Sequence, residues 1–446
     1  MVTLARRLNA FDATLVVMGG IVGAGIFMNP SVVAQRAHTP ALILGAWAFG
    51  GLVALIGAFI FAELAWRRPE VGGLYAYLRD AYHPVVAFMY GWTALIVSQS
   101  GGMAAAAITF AAYFAPLTHA AVAPWQIAVA TLAAFTAINC FGVREGGNAQ
   151  NVLMLLKLLP IAALIIAGLF FAHSVTPSNL GASVSHLGLL ATFAAAMIPV
   201  LYAYDGWQTA PFMSGELRQP ARDMPRAMLW GVIVVVILYM AVNYACVRVL
   251  GASGLMATNT PASDIMRIVS GPIGGTIIAI AVALSTLGFI SNNMLTSPRI
   301  YYAMAQDGMF FKQVAWLHPK TRVPMVAVIL QGAVAIIIAV SGRYDQILNY
   351  VTSVDFVFFA LAAAALLIFR RRESKAQVHG SGIRVPWHPW STLFFLSVSA
   401  IVVLNSYVTF PKDTLIGLLI LLSAIPVYYI WKRVAPPGVP IPVAKN

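Results

Sequence analysis

Long apolar runs separated by short polar segments make up most of this chain. A membrane-crossing helix needs about 20 predominantly apolar residues, and most of the runs reach or exceed that length. The longer runs are typical of helices that tilt or that project beyond the bilayer. The predicted fold class is an all-α membrane protein with twelve spans, at residues 12–36, 41–66, 84–115, 123–142, 147–172, 187–212, 226–250, 272–300, 324–341, 346–370, 391–410 and 414–432.

Composition excludes the competing classes of protein. The chain has 446 residues, of which 60% are hydrophobic and 9% are charged. A soluble globular protein carries roughly 25% charged residues, so these few charges could not cover a soluble surface. A disordered chain and a fibrous repeat are excluded on the same ground. Twelve spans leave short connections, and no large domain outside the membrane is expected.

The basic residues predict an orientation. If the N-terminus lies inside, the inner connections carry 21 of the Lys and Arg residues, the outer connections carry 5, and Lys157 lies within a span. Basic residues resist translocation, so both termini are predicted to be cytoplasmic. The net charge of +13 then reflects topology, and no nucleic-acid partner is expected.

Residues for enzyme or metal chemistry are scarce. Cys140 and Cys246 lie inside apolar runs and form neither a disulfide framework nor a zinc-ligand spacing. The histidines also show no metal-ligand spacing, so no metal and no cofactor is expected. A membrane enzyme would need an embedded nucleophile or metal cluster, and the motifs HExxH and GxSxG are absent from the sequence. A channel would need rings of charge or carbonyl groups along a pore, which this pattern does not offer.

Four ionisable residues lie well inside predicted spans: Glu63, Lys157, Asp205 and Asp355. A charge at the centre of a bilayer costs at least about 3 kcal/mol, so these residues predict a polar interior. Glu63, near the inner end of the second span, is expected to pair with a cytoplasmic arginine or to cap a helix. For Asp355 a gating role and a structural pair both stay open.

The first span contains a cluster of glycines. Gly19, Gly20, Gly23 and Gly25 lie within seven residues, and Pro30 follows them. Glycine costs about 1 kcal/mol relative to alanine inside a helix, so the cluster indicates unwound backbone at Gly23–Gly25 in mid-membrane. Close packing between helices on small residues is the alternative interpretation.

The sixth span is interrupted in a similar way, by Pro199, Asp205–Gly206 and Pro211. The two interruptions are 182 residues apart (205 minus 23), with four spans between them. Each interruption therefore falls in the first helix of a five-helix half. Because five is odd, the two halves have opposite orientations in the membrane. Such inverted repeats with discontinuous helices are typical of secondary transporters.

The predicted organisation is a first repeat at 1–172, a second repeat at 187–370, and two further helices with a tail at 391–446. The two interruptions offer complementary groups to a zwitterion. The N–H groups freed at 23–25 open a helix at the positive end of its dipole and can hold a carboxylate. An ammonium group can be held by freed carbonyl groups near Ile21, Tyr202, Ala203 and Asp205.

Four stretches of sequence resemble the amino acid–polyamine–organocation superfamily, and within it the L-amino acid transporter-like branch. They are GGIVGAGIF in the first span, the run from Phe61 to Trp92, YAYDGW at 202–207, and SPRIYYAMAQDGMFF followed by HPKTRVPMVAV. The resemblance covers roughly residues 10–370, and the last two spans match in hydropathy alone. It implies a leucine-transporter-type fold with unwound helices 1 and 6.

The resemblance also implies a substrate site. The carboxylate would bind at Gly23, Ala24 and Gly25, and the amino group at the backbone of Ile21, Tyr202, Ala203 and Asp205. Tyr202 would act as an aromatic gate, and Tyr204, Trp207 and Asn292 complete the predicted site. Asn292, like Ser98, Gln99 and Ser291, could line the pocket or could instead form hydrogen bonds between helices. Asp205 replaces a glycine common in animal members, and its carboxylate would either help hold the ammonium group or cap the unwound segment.

Lys157 resembles the fifth-helix lysine of sodium-independent family members. Its ammonium would stand where sodium-coupled relatives bind a cation, and it would donate to freed carbonyl groups of helix 1. A buried lysine can also carry a proton, and snorkelling to the interface is the structural alternative. The sequence thus argues against sodium without deciding between exchange and proton symport.

The predicted function is sodium-independent transport of neutral L-amino acids, by exchange and with alternating access. A proton-coupled symporter and a carrier of cationic amino acids or polyamines are the alternatives. The expected partners are a small amino acid substrate and the lipid bilayer, in a bacterial inner membrane. Eukaryotic members of this branch pair with a heavy chain through an external cysteine between helices 3 and 4. Residues 115–123 contain none, so no disulfide-linked heavy chain is expected.

Overall fold

Nearly all of the described chain is helical. A computed structural model of the protein describes residue 4 and residues 6–118, 122–171, 186–341, 344–372, 382–409 and 411–434. The first part of the chain contains α1 (Ala10–Ile21), α2 (Gly25–Ala37), α3 (Pro40–Arg67), α4 (Leu74–Ala81), α5 (Pro84–Thr93), α6 (Gln99–Thr118), α7 (Pro124–Phe141) and α8 (Val143–Ile166). A π-helical turn, Ala94–Ser98, joins α5 to α6, and a second one, Ala167–Phe171, extends α8.

The second part begins with α9 (His186–Ala203), which a 3₁₀ helix at Trp207–Glu216 follows after a break. It continues with α10 (Pro220–Ala257), α11 (Pro261–Ser270), α12 (Pro272–Thr296), α13 (Pro298–Gln306), α14 (Met325–Ser341), α15 (Tyr344–Arg372), α16 (Trp390–Thr409) and α17 (Pro411–Val434). An isolated parallel β-bridge joins Leu8 to Leu217.

The described helices bear out the all-helical membrane class. By length and apolar character, eight helical segments of the described chain could cross a bilayer, and α1 with α2 form a ninth that is bent by 42°. The helix α14 is apolar but has 17 residues, and the break after α9 divides another predicted span. Helix is present in each predicted segment, while the number of twelve spans and the inverted repeat stay predictions.

Helix α3 shows how the sequence sets the element boundaries. The side chain of Thr39 caps its start by accepting from the N–H of Leu42 at 3.3 Å, and Pro40 occupies the first turn, where a missing N–H costs nothing. Pro69 follows the last helical residues, where it disfavours continued helix. Along its length α3 packs against α10, so this helix pair forms one wall of the apolar core.

Glu63 makes the ion pair that the sequence predicts. Its carboxylate is fully buried and accepts from Arg67 at 2.9 Å and from Arg370 of α15 at 2.5 Å. The N–H of Val385 also donates to it, at 2.8 Å. The prediction for this residue is confirmed, since three donors compensate the cost of burying the charge.

A second group of charges lies at the same end of the bundle. Arg79 of α4 contacts Glu70 at 2.6 Å, Asp80 at 2.8 Å and Asp307 at 2.9 Å. Burial acts to lower the pKa of Arg79, but the neighbouring carboxylates of Asp307 and Asp80 outweigh it and raise that pKa above its usual range. This arginine therefore stays charged and ties α4 to the segment that follows α13.

Both cysteines are free thiols. Cys246 is buried in α10, and Cys140 is half-buried near the end of α7. Their placement inside helices agrees with their positions inside apolar runs of the sequence.

Candidate functional site

The first break separates α1 from α2 at Val22–Ala24. Helix α1 ends at Ile21, and Val22 turns into an extended conformation, with its N–H donating to the carbonyl of Met18 at 2.8 Å. Helix α2 already begins at Gly25, with Ala24 as its N-cap. The predicted interruption is therefore present, but it lies at Val22–Ala24 and not at Gly23–Gly25. Gly25 already takes part in the first turn of α2. In that first turn the N–H of Phe27 donates to the carbonyl of Ala24 at 3.1 Å, whereas the N–H groups at the start of a helix otherwise lack a partner within it.

The second break separates α9 from the following 3₁₀ helix at Tyr204–Gly206. Gly206 has a φ of 114°, a conformation that glycine adopts without the steric cost of a side chain. Its carbonyl accepts from the hydroxyl of Thr209 at 2.8 Å. The N–H of Gly206 in turn donates to the carboxylate of Asp205, also at 2.8 Å. This last contact is the capping role considered for Asp205.

The two breaks touch through their backbones. A Cβ atom at Gly20 would lie 2.4 Å from the carbonyl oxygen of Gly206, and a Cβ at Gly206 would lie 2.1 Å from the carbonyl oxygen of Gly20. Both positions therefore require glycine. This contact fixes the distance between the two interrupted helices and so the width of the space beside them.

A cavity of about 100 Å³ lies between the two breaks. Residues of both breaks line it together with polar and small residues of three further helices. From the breaks come Gly20, Ile21, Gly23, Ala24, Gly25, Tyr202, Ala203, Asp205, Gly206, Gln208 and Thr209; from the π turn and α6 come Ser98, Gln99, Gly102, Ala105, Ala106 and Thr109; from α12 come Thr286, Phe289 and Asn293; from α15 come Val351 and Asp355.

The cavity brings together seven of the ten predicted substrate-binding residues. They are Ile21, Gly23, Ala24, Gly25, Tyr202, Ala203 and Asp205. All seven lie in the two breaks or within two residues of them, where glycine and proline mark the interruption directly in the sequence. Their role in binding, and the role of Tyr202 as a gate, stay predictions.

Three predicted residues lie elsewhere. Tyr204 packs against Trp47 and Tyr239, with ring centroids 5.7 and 5.1 Å apart. Trp207 packs against Phe61 at 4.8 Å. These two side chains face the core on the side away from the cavity, because successive residues of a helical turn point in different directions.

Asn292 also faces away from the cavity. It accepts from Gln150 of α8 at 3.1 Å and donates to Thr209 at 3.3 Å. Its neighbour Asn293 lines the cavity instead. Ser291, the other α12 candidate, is buried outside the lining, whereas Ser98 and Gln99 are part of it. In α12, the asparagine that lines the cavity is thus one position after the predicted Asn292.

Several lining residues escape the sequence prediction. Gln208, Thr209, Thr286, Phe289 and Asn293 are ordinary residues of apolar spans, and nothing in the sequence distinguishes them from residues that face a neighbouring helix. The π turn before α6 also has no sequence signature. Gln208 and Thr209 could have been suspected from their position, because they directly follow the motif that marks the second break.

Lys157 lies behind the first break. Its ammonium is fully buried and donates to the carbonyl of Gly19 at 3.1 Å and to that of Val22 at 2.5 Å. These contacts to helix 1 are those that the sequence predicts, and the snorkelling alternative is wrong. A glycine of α12 leaves room for the side chain, because a Cβ at Gly288 would lie 3.0 Å from its Cε.

The carbonyl groups at the end of α1 are thus largely engaged. Besides the two that Lys157 contacts, the carbonyl of Ile21 accepts from the hydroxyl of Tyr239 at 3.0 Å. A carbonyl oxygen has two lone pairs, so Ile21 can still accept from a ligand. The first break is held in shape by α8 and α10, and its polar groups do not depend on a ligand for their position.

Among the described residues, the cavity is lined by two carboxylates, those of Asp205 and Asp355, and by no Lys, Arg or His. Within the part of the chain that the structure describes, no group of three or more His, Cys, Asp or Glu residues could hold a metal ion. The arrangement offers N–H donors at one break, carbonyl acceptors at both, and negative charge. Such a site suits a ligand with a carboxylate and an ammonium group.

Comparison with known proteins gives consistent matches. A family model described as amino acid permease matches residues 8–425. The serine/threonine exchanger SteT of Bacillus subtilis (strain 168) is 28% identical over 439 residues, which cover 96% of this chain and 98% of that protein. The b(0,+)-type amino acid transporter 1 of Homo sapiens is 29% identical over 374 residues, covering 82% of this chain and 77% of that protein. The large neutral amino acids transporter small subunit 2 of Mus musculus is 28% identical over 446 residues, covering 96% and 81%.

Proposed function

Because the chain belongs to the amino acid permease family, we propose that it is a sodium-independent secondary transporter that exchanges neutral L-amino acids by alternating access. The observation that carries this proposal is the ammonium of Lys157 at the first break. It supplies a fixed positive charge beside the site, where a sodium-coupled carrier would need a metal ion.

The substrate would bind in the cavity between the breaks. Its carboxylate would accept from the N–H groups at the start of α2, where the helix dipole is positive. Its ammonium would donate to carbonyl groups of Ile21, Tyr202 and Ala203. These groups belong to the backbone and recognise what all α-amino acids share, while α6, α12 and α15 contact the side chain.

Alternating access finds support in the position of the cavity. Its lining extends along α6 to Thr109 and along α15 to Val351, towards the ends of these helices that are predicted to face outside. At the opposite end, Glu216 pairs with Arg299 at 2.8 Å, with both side chains almost fully buried. We propose that this buried ion pair closes the inner side of the cavity.

The proposed topology has twelve spans in two inverted five-helix repeats, followed by two C-terminal helices. Both termini would be cytoplasmic and the protein would lie in the inner membrane, as the distribution of basic residues favours. No disulfide-linked heavy chain would be required, since both thiols lie within helices α7 and α10. The Bacillus subtilis relative is named a serine/threonine exchanger, which supports exchange of small neutral amino acids as the first assay.

The test is transport by the full-length protein in proteoliposomes loaded with labelled L-serine. We expect efflux when unlabelled amino acid is present outside and little efflux without it, whether sodium or choline is the external cation. Efflux that ignores external amino acid but follows a pH gradient would replace exchange by proton symport. Efflux that requires sodium would refute the assignment to Lys157.

A further inference from the structure

A buried chain of hydrogen bonds connects α8 to the second break. In α8, Nε2 of Gln150 donates to Oδ1 of Asn292 at 3.1 Å, and Nδ2 of Asn292 donates to the hydroxyl of Thr209 at 3.3 Å. That hydroxyl donates in turn to the carbonyl of Gly206 at 2.8 Å. Gln150 and Asn292 are fully buried, and Thr209 is almost so. The chain of hydrogen bonds therefore ties α8 and α12 to the backbone of the break.

The direction of each of these hydrogen bonds is fixed by the carbonyl at the end. A carbonyl oxygen can only accept, so the hydroxyl of Thr209 must donate its one proton to Gly206. The hydroxyl is then left to accept, which turns the amide nitrogen of Asn292 towards it and the amide oxygen of Asn292 towards Gln150. Gln150 must therefore supply the N–H donor at the other end. Any side chain at position 150 that lacks a donor interrupts the chain of hydrogen bonds.

Two glycines of α1 leave the space for these side chains. A Cβ atom at Gly19 would collide with Nε2 of Gln150, and a Cβ at Gly20 would lie 2.9 Å from Oγ1 of Thr209. The carbonyl of Gly19 is also one of the two that accept from Lys157 of α8. Helix α8 therefore contacts the first break directly and reaches the second break through the chain of hydrogen bonds.

Gln150 and Asn292 act from outside the cavity, because Thr209 is the one side chain of the three that lines it. We infer that Gln150 and Asn292 are positioning residues, which hold the second break in the shape that binds the amino group of the substrate. The inference rests on the proposed function, in which carbonyl groups of Tyr202 and Ala203 bind that ammonium. Since every α-amino acid carries the ammonium, loss of the hydrogen bonds should weaken all substrates by the same factor.

The experiment measures exchange of labelled L-serine and of labelled L-alanine by the full chain in proteoliposomes. Gln150→Met removes the donor and keeps most of the side-chain length. Loss of one hydrogen bond corresponds to a change in affinity of about twofold to tenfold. We expect KM to rise by a factor in this range, equal for the two substrates, while the maximal exchange rate changes less. The melting temperature of the detergent-solubilised protein is measured in parallel.

Gln331→Met is the matched control. Gln331 of α14 is also fully buried, and its Nε2 donates to the sulfur of Met103 at 3.3 Å. Its Oε1, like that of Gln150, has no hydrogen-bond partner among the described residues. Neither Gln331 nor Met103 lines the cavity, so this variant loses a buried amide without disturbing a break. It should leave both KM values unchanged, whatever it does to the melting temperature.

A double variant tests whether the two residues act as one unit. Asn292→Leu interrupts the chain of hydrogen bonds at its centre and should reproduce the rise in KM. Gln150→Met should then add nothing in the Asn292→Leu background, because residues of one hydrogen-bond network are not additive. Rises in KM that multiply in the double variant would contradict the inference. If Asn292→Leu does not fold, Gln150→Met and its control decide alone.

The outcomes separate the inference from the proposed function. If Gln150→Met lowers the melting temperature but leaves both KM values unchanged, the hydrogen bonds are only structural and the inference is wrong. If KM rises for one of the two substrates alone, the effect lies in the side-chain part of the site, and the inference is again wrong. In both cases the proposed function stands. If the unmodified protein exchanges neither amino acid, the proposed function fails and the inference fails with it.

Discussion

The ammonium of Lys157 lies 2.5 Å from the carbonyl oxygen of Val22 and thereby connects α8 to the first break. The contact joins two segments 135 residues apart in sequence. Since Val22 is the residue at which α1 stops being helical, any movement of the break changes the surroundings of a fully buried charge. We therefore expect Lys157 to couple α8 to movements of the first break.

Replacing Lys157 tests this connection. Lys157→Met keeps most of the side-chain length but leaves the carbonyls of Gly19 and Val22 without their donor, at a cost of about 1 to 3 kcal/mol each. Exchange in proteoliposomes should fall at least about tenfold, while the protein still elutes as a folded species. Lys412→Met, at an exposed position, is the control and should transport normally. Unchanged exchange in Lys157→Met would contradict the role.

Gly288 is expected to control the position of that ammonium. A Cβ in Gly288→Ala would lie 3.0 and 3.1 Å from Cε and Nζ of Lys157, so the amine must shift away from α12. Such overpacking typically costs about 1 to 3 kcal/mol, and we expect reduced exchange together with a lower melting temperature. Gly275→Ala, also in α12, meets its nearest atom at 3.7 Å and should be neutral or stabilising. Equal behaviour of the two variants would refute the prediction.

Gly206→Ala combines two separate penalties. The backbone there has a φ of 114°, and the new Cβ would lie 2.1 Å from the carbonyl oxygen of Gly20. We expect loss of substrate binding and a large drop in thermal stability. Gly251→Ala isolates the first penalty, because Gly251 has a φ of 65° with nothing within 4 Å of its Cβ position. Strain alone costs of order 1 to 3 kcal/mol, so a similar loss in both variants would argue against the contact between the breaks.

The buried ion pair of Glu216 and Arg299 is expected to stabilise the protein. Both side chains are almost fully buried, and Oε1 of Glu216 accepts from two nitrogen atoms of the guanidinium, at 2.8 and 2.9 Å. Arg299→Met leaves an unpaired buried carboxylate and should destabilise the protein by about 3 to 5 kcal/mol.

The double variant Glu216→Gln with Arg299→Met removes both charges and should recover a large part of this loss. Melting temperatures of the four proteins in the cycle measure the effect. If the stability losses of the two single variants simply add in the double variant, the two side chains do not stabilise each other as an ion pair.

The sequence predicts those parts of the site that depend on the backbone. Gly23 and Gly206 mark the breaks because glycine is costly inside a helix, and Lys157 and Glu63 stand out because a charge inside the membrane needs a partner. The contacts of Lys157 with α1 and of Glu63 with two arginines follow from that cost and are present in the structure.

The direction of individual side chains is much harder to predict. Asn292 and Asn293 are equally plausible in sequence, and a rotation of α12 by one residue decides which of them lines the cavity. Tyr204 and Trp207 belong to the motif of the second break yet pack into the aromatic core. Their orientation depends on packing against α3 and α10, which no local pattern encodes.

The backbone contact between Gly20 and Gly206 has a consequence for how substrate range can change. Neither position accepts a side chain, so the part of the pocket that they form is closed to adaptation by substitution. New specificities can arise from the other walls, on α6, α12 and α15, where Thr109, Phe289 and Asp355 lie away from the contact between the two breaks. Libraries for engineering this carrier towards new substrates belong at those positions.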